Sequence, residues 1–251
     1  MSVYQPNMGL GAKITRRMSN YRYRRIITPK LDRPIVSFSF DDCPKSVMKN
    51  ALPLLEAENW RATFYMACGL CDTVNHLGRH MSLKDIQAVY TSGHEIGDHT
   101  YDHLDIGNVS LENYLDNIEL NQKTLSDLGI PASRTFAYPY GSVSPKLKHA
   151  LYANFELSRG VVESRGQTLD LGLCASTRLY KGTDIETAIT RIQALPQTPR
   201  WEILFTHDVR EAPSDFGCTP MDMKNIIKAV KDSGAIVLPI AAALDHMGPK
   251  I

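Results

Sequence analysis

Three stretches of apolar and polar alternation each end in aspartate, histidine or both. Ile35 to Phe40 runs into Asp41-Asp42, Glu95 to Gly97 into Asp98-His99-Thr100-Tyr101-Asp102-His103, and Glu202 to Phe205 into Thr206-His207-Asp208. A single polar ending is ordinary turn chemistry. Three endings that gather Asp and His are what a site assembled at strand ends requires. His99 and His103 lie four apart, so they share one side if a helical turn begins there. Two imidazoles and one aspartate form a ligand set that suits zinc and leaves a fourth position open, the mark of a catalytic rather than a structural site. The same spacing also suits two surface histidines at the start of a helix, and the pair alone leaves both readings open.

Other patterns carry less. His94-Glu95 begins like a zincin helix, but position 98 is Asp where the second histidine belongs. Cys68-Gly69-Leu70-Cys71, with His76 and His80 behind it, imitates a zinc knuckle with too short a gap, so packed and reduced thiols are expected there. Gly9-Leu10-Gly11 lacks the third glycine and the preceding strand of a dinucleotide fingerprint.

The elements that must position these residues alternate between β and α from Pro34 onward. Strands are expected at 35–40, 62–66, 95–98, 135–138, 155–160, 173–177, 202–206 and 235–238. Helices are expected from Ser46 to Glu58, from an N-cap at Ser82 with Asp85 completing a capping box, from Leu111 to Leu128, near Pro145 to Tyr152, and after Thr219-Pro220. Repeated β-then-α over some 220 residues predicts an α/β fold, a parallel barrel in a single domain.

The 251 residues suffice for one large domain, and 43% hydrophobic with 22% charged residues is an ordinary globular composition. No apolar run reaches the roughly 20 residues that span a bilayer, so a soluble chain without a transmembrane segment is expected. Residues 1–30 form a basic N-terminal arm with seven Lys and Arg and no acid, which leaves 21 basic against 27 acidic side chains in residues 31–251, a net of −6. A body of that sign is poorly suited to nucleic acid. The arm is expected to pack on its own body or to make a homo-oligomer contact. Five cysteines form an odd set without the spacing of a disulfide scaffold, which points to reduced thiols and a cytoplasmic protein.

Four motifs together resemble the polysaccharide deacetylases, the carbohydrate esterases of family four. They are Ser39-Phe40-Asp41-Asp42, Gly93 through His103, Phe136-Ala137-Tyr138-Pro139-Tyr140-Gly141, and Ile203 through Asp208. The resemblance spans about residues 34 to 245. It implies a distorted parallel (β/α) barrel, with residues 31–251 as the catalytic domain. It also implies a hydrolase of non-peptide carbon–nitrogen bonds that removes the acetyl group from an N-acetylated sugar. Asp42, His99 and His103 would hold a divalent metal, zinc in most relatives, which polarises the amide carbonyl. Asp41 would be the general base, His207 the acid that protonates the departing amine, and the Tyr140 N–H an oxyanion donor. Pro139, Phe205 and Arg159 complete the expected substrate and oxyanion surroundings. A deformylase or cyclic-amide hydrolase on the same fold, or a carbohydrate-binding relative without turnover, are the competing readings.

The chain departs from the family at three points. Many relatives carry an arginine two residues before the third-motif proline, where it tethers the catalytic aspartate; here that position is Ala137, so Asp41 lacks its usual partner unless Arg159 or Arg178 arrives from another strand. The fourth-motif aspartate that tunes the acid histidine is missing, with Asp170 and Asp184 as candidates for its place. Phe205 stands where an apolar Leu is usual and is expected to reshape the acetate pocket.

Overall fold

Strand β2 (Ile35–Asp41) shows how the sequence sorts its side chains. All seven residues are buried. Val36, Phe38 and Phe40 enter the layer of helices, while Ile35, Ser37, Ser39 and Asp41 alternate onto the inner face. The two inner serines are satisfied locally: Trp201 Nε1 donates to Ser37 Oγ at 2.9 Å, and Ser39 Oγ donates to the Leu204 carbonyl at 2.9 Å. The chain is seen in a computed structural model that describes residues 9–163 and 166–248.

Parallel neighbours extend β2 in both directions. On one side lie β3 (Thr63–Met66), β6 (Glu95–Asp98), β7 (Thr135–Ala137) and β8 (Leu157–Arg159); on the other lie β11 (Trp201–Thr206) and β10 (Thr177–Arg178). A last strand, β12 (Ile236–Val237), pairs with Ile35 and Val36 on the edge whose later part takes β3. Arg159 bridges Cys174 in parallel just before β10 begins, so the sheet curls back towards its own edge. The parallel barrel expected from the β-then-α order is therefore present, in distorted form. Two short antiparallel ribbons stand outside it: β1 (Ile26–Ile27) with β9 (Leu169–Asp170), and the hairpin of β4 (Val74–Asn75) and β5 (Gly78–Arg79).

Helices α2 (Lys45–Asn50), α3 (Leu52–Glu56), α4 (Leu83–Thr91), α5 (Leu111–Asp127), α6 (Pro145–Ala150), α7 (Thr183–Gln193), α8 (Pro220–Asp232) and α9 (Ile240–Met247) follow α1 (Leu10–Ser19) of the arm. Both sequence-read caps form, with Ser82 and Asp85 closing a capping box on α4 and Thr219 and Asp222 another on α8. The single helix expected from Ser46 to Glu58 is instead broken at Ala51. Pro53 has no N–H and its ring crowds the carbonyl four residues earlier, so the turn cannot continue. Gly97 is required where it stands, since a Cβ there would lie 2.4 Å from the Tyr65 ring.

The described part of the arm packs on its own body; residues 1–8 lie outside the described residues. Helix α1 lies against α6, and β1 pairs with β9. Asp170 is the joint: its carboxylate accepts from the Arg25 N–H at 3.0 Å, the Gly172 N–H at 3.0 Å and Lys148 Nζ at 2.6 Å. The Lys148 side chain is fully buried and also donates to the Ser19 carbonyl. Removing one partner of a buried pair strands the other charge, which costs about 3–5 kcal/mol. Asp170→Ala is expected to lose stability on that scale in urea melts and to render residues 9–30 sensitive to limited proteolysis.

Candidate active site

Because β-strand side chains alternate, the inner face at one end of the barrel collects Asp41, Arg159 and Phe205 from β2, β8 and β11, with His99 and His207 one residue past β6 and β11. These groups meet at a cavity of about 360 Å³ whose wall includes Asp41, Asp42, His99, His103, Tyr140 and His207. Pro139 and Arg159 lie outside the wall, and Phe205 lies in it.

Asp42 breaks the strand alternation. A continued strand would turn it outward with Phe40, but Asp42 and Cys43 adopt left-handed φ of 55° and 51°. The turn brings Asp42 Oδ1 to 3.4 Å from His99 Nε2 and 3.1 Å from His103 Nε2. Among the described residues, these three are the group of His, Cys, Asp or Glu placed to share a metal ion, their ligand atoms lying within 4.8 Å of one another. The surroundings fit a cation. Asp42 Oδ1 is buried without a hydrogen-bond partner. His99 Nδ1 lies 2.7 Å from the Ala137 carbonyl, which can only accept, so the proton sits on Nδ1 and the Nε2 lone pair faces Asp42.

Electrostatics acts differently on the three groups. Burial alone would raise the Asp42 carboxyl, yet His103 and His99 hold it well below the usual carboxylate range. Burial pushes the His103 imidazole down to about 4, so it is neutral near pH 7. For His99 burial also acts downward, but Asp42 and Asp41 overcome it and raise the imidazole above its ordinary value.

The histidines do not converge through a helical turn, as their spacing had allowed. Residues 99–103 form a bend with left-handed φ at Thr100 and His103. Asn117 of α5 holds this bend: its Oδ1 accepts from the Tyr101 and Asp102 N–H groups at 2.8 and 2.9 Å, and its Nδ2 donates to Asp102 at 2.7 Å. One turn on, Asn121 bonds the Cys68 N–H, the Met66 carbonyl and Asp98. Neither asparagine was singled out from sequence. The signal that could have found them is two amides at i and i+4 on the buried side of an amphipathic helix.

Asp41 is 3% exposed and its Oδ2 is held by Arg159 Nη2, while Oδ1 is buried without a hydrogen-bond partner. Of the two arginines that could have reached it, Arg178 instead meets Glu163 and Asp184, at 3.4 and 3.8 Å. Opposite, His207 Nδ1 lies 3.2 Å from the Phe216 carbonyl, which again places the proton on Nδ1. Neither Asp170 nor Asp184 reaches His207, because Asp170 is the arm joint and Asp184 pairs with Arg178. A neutral carbonyl orients this histidine. Tyr140 stands in a left-handed turn with φ 58°, its ring 4.3 Å from that of His103. Tyr180 and Phe216 pack round His207, each at 5.8 Å between centroids.

The family model for polysaccharide deacetylase matches residues 28–156, just over half of the chain. The chain belongs to the polysaccharide deacetylase family. The matched segment contains Asp41, Asp42, His99, His103 and Tyr140 and stops three residues before Arg159. A peptidoglycan-N-acetylglucosamine deacetylase of Bacillus cereus is 24% identical over 145 residues, 57% of this chain and 50% of the relative; the chain thus spans about half the length of that curated relative. Among solved structures, a family-four esterase domain of a multidomain xylanase from the hindgut metagenome of Trinervitermes trinervoides aligns with a TM-score of 0.61 at 20% identity, over 86% of this chain and 92% of that one. A family-four acetyl xylan esterase of Clostridium thermocellum, solved with a cobalt ion, gives 0.58 at 22% identity over 84% and 91%. These likenesses are to the polysaccharide deacetylase barrel as a fold.

Groups that orient metal ligands are worth about 10–100-fold in metal affinity. Asn117→Ala is therefore expected to weaken zinc binding on that scale in calorimetric titration with the far-ultraviolet dichroism unchanged.

Proposed function

We propose that the chain is a metal-dependent deacetylase that hydrolyses the N-acetyl group of an amino sugar and releases acetate. The observation that carries this reading is the division of labour between two adjacent buried carboxylates. Asp42 faces two imidazoles, whereas Asp41 is held by Arg159 with Oδ1 left without a partner in the cavity wall. A metal held by Asp42, His99 and His103, zinc in our reading, supplies Lewis acidity that polarises a carbonyl and lowers the pKa of water.

The chain's own residues do the rest. Asp41 takes the proton from the attacking water as oxygen adds to the acetyl carbon. The Tyr140 N–H donates to the oxyanion that develops on the former carbonyl oxygen, and its fixed turn needs no reorganisation. His207, approaching from the other wall as an imidazolium whose Nδ1–H stays on the Phe216 carbonyl, gives its Nε2 proton to the nitrogen as the carbon–nitrogen bond breaks, so the amine leaves neutral beside free acetate. Tyr140, Tyr180 and Phe216 offer aromatic faces in the cavity wall for a sugar ring. The described cysteines are unpaired, in keeping with a reducing, cytoplasmic setting. The substrate in that setting is an oligosaccharide or a carrier-linked sugar rather than insoluble wall polymer. The name of the Bacillus cereus relative supports an amino sugar.

Asp41→Asn is expected to keep one metal per chain and to lose turnover by about 10²–10⁴-fold in an acetate-release assay on N-acetylglucosamine oligomers. Undiminished turnover in that variant would remove Asp41 as the base.

A further inference from the structure

Two departures from the family pattern, Ala137 and Phe205, meet Arg159 at one place. Ala137 and Arg159 are register partners on adjacent parallel strands, and both side chains fall on the inner face. The guanidinium of Arg159, 1% exposed, is bonded to Asp41 Oδ2 and to the Gly160 carbonyl. It lies 4.5 Å from the Phe205 ring centroid and 5.2 Å from that of Tyr65. Parallel strands run about 4.8 Å apart, so arginines at both 137 and 159 would set two like charges side by side in a buried space. The small side chain at 137 leaves that space to Arg159, and the large ring at 205 gives the guanidinium a flat face to stack on.

We infer that these three positions are a single coupled exchange: Arg159 is the positioning residue that holds Asp41, Phe205 is the floor that holds Arg159, and an arginine at register position 137 could serve in its place. Phe205 thereby has two duties, since its ring also lines the cavity and packs on Tyr180 at 5.5 Å. Arg159 itself touches no reacting atom. Its task is to occupy Oδ2, so that Oδ1 is the oxygen presented to water. Unlike a structural ion pair, such a tether acts on kcat and tolerates relocation to the neighbouring strand.

The inference rests on the reading of Asp41 as the base of a deacetylase. The test compares wild type, Arg159→Ala, Arg159→Lys, and the combination of Arg159→Ala with Ala137→Arg and Phe205→Leu. Acetate release from an N-acetylglucosamine pentamer, zinc content and thermal midpoint are measured for each. Arg159→Ala is expected to lose about 100-fold in kcat, the cost of a catalytic group misplaced by about an ångström, with KM and zinc content unchanged. Arg159→Lys, which keeps the charge without the planar fork, is expected to fall between. The relocated variant is expected to regain about tenfold over Arg159→Ala. Should Arg159→Ala not fold, recovery of folded, active protein in the relocated variant supports the exchange and its failure overturns it. A relocated variant that folds, binds zinc and is no faster than Arg159→Ala overturns it as well. Wild type that releases no acetate removes the deacetylase reading and this proposal with it, whereas active wild type without rescue removes the exchange alone.

Discussion

Two consecutive carboxylates, both buried, end strand β2, and the site is organised around keeping them apart. An uncompensated buried charge costs several kcal/mol, and two neighbouring anions repel each other besides. The chain resolves this by direction. Asp41 stays on the inner face and meets Arg159, while the left-handed turn at Asp42 and Cys43 swings the second carboxylate to His99 and His103. Left-handed backbone at residues other than glycine costs of order 1–3 kcal/mol each. It recurs at His103 and Tyr140, both in the wall of the same cavity, and at Thr100 next to His99. Strain gathered there is stability given up to aim particular atoms.

The parallel sheet makes that aim possible. Strand periodicity brings side chains from β2, β8 and β11 to one inner face, and each neighbour is trimmed to leave room. Gly97 clears the Tyr65 ring, Ala137 clears Arg159, and the Ala137 carbonyl sets the His99 tautomer. Helix α5 adds a second tier through Asn117 and Asn121, which tie the His99–His103 bend and strand β3 to one rigid element.

Much of this was legible in the sequence because the signals were local. The alternation of Ile35 to Phe40, the Ser82 capping box, the Thr219 N-cap, and the Asp and His endings each depend on a few neighbouring residues. What was not legible depended on long-range packing or on backbone turns. The His99–His103 spacing reads as a helical turn, but contacts to Asn117 and Asp98 hold it as a bend. Pro53 splits a helix whose apolar pattern continues unbroken across Ala51. Arg159 and Arg178 were equal candidates for Asp41 until strand register separated them, since no periodicity says which of two short strands lies beside β7. Asp170 and Asp184 look available as sequence, but one is consumed by the arm and the other by Arg178. The arm's own fold was hidden for the same reason, because Arg25 and Ser19 find their partners more than a hundred residues away.

The account stands on Asp42, His99 and His103 forming one cation site, and calorimetric titration of chelator-treated protein with zinc tests this most directly, wild type beside His103→Ala. One zinc bound per wild-type chain and none at that site in His103→Ala is the result the geometry predicts. Equal zinc binding by both proteins, or no binding by either, would contradict it.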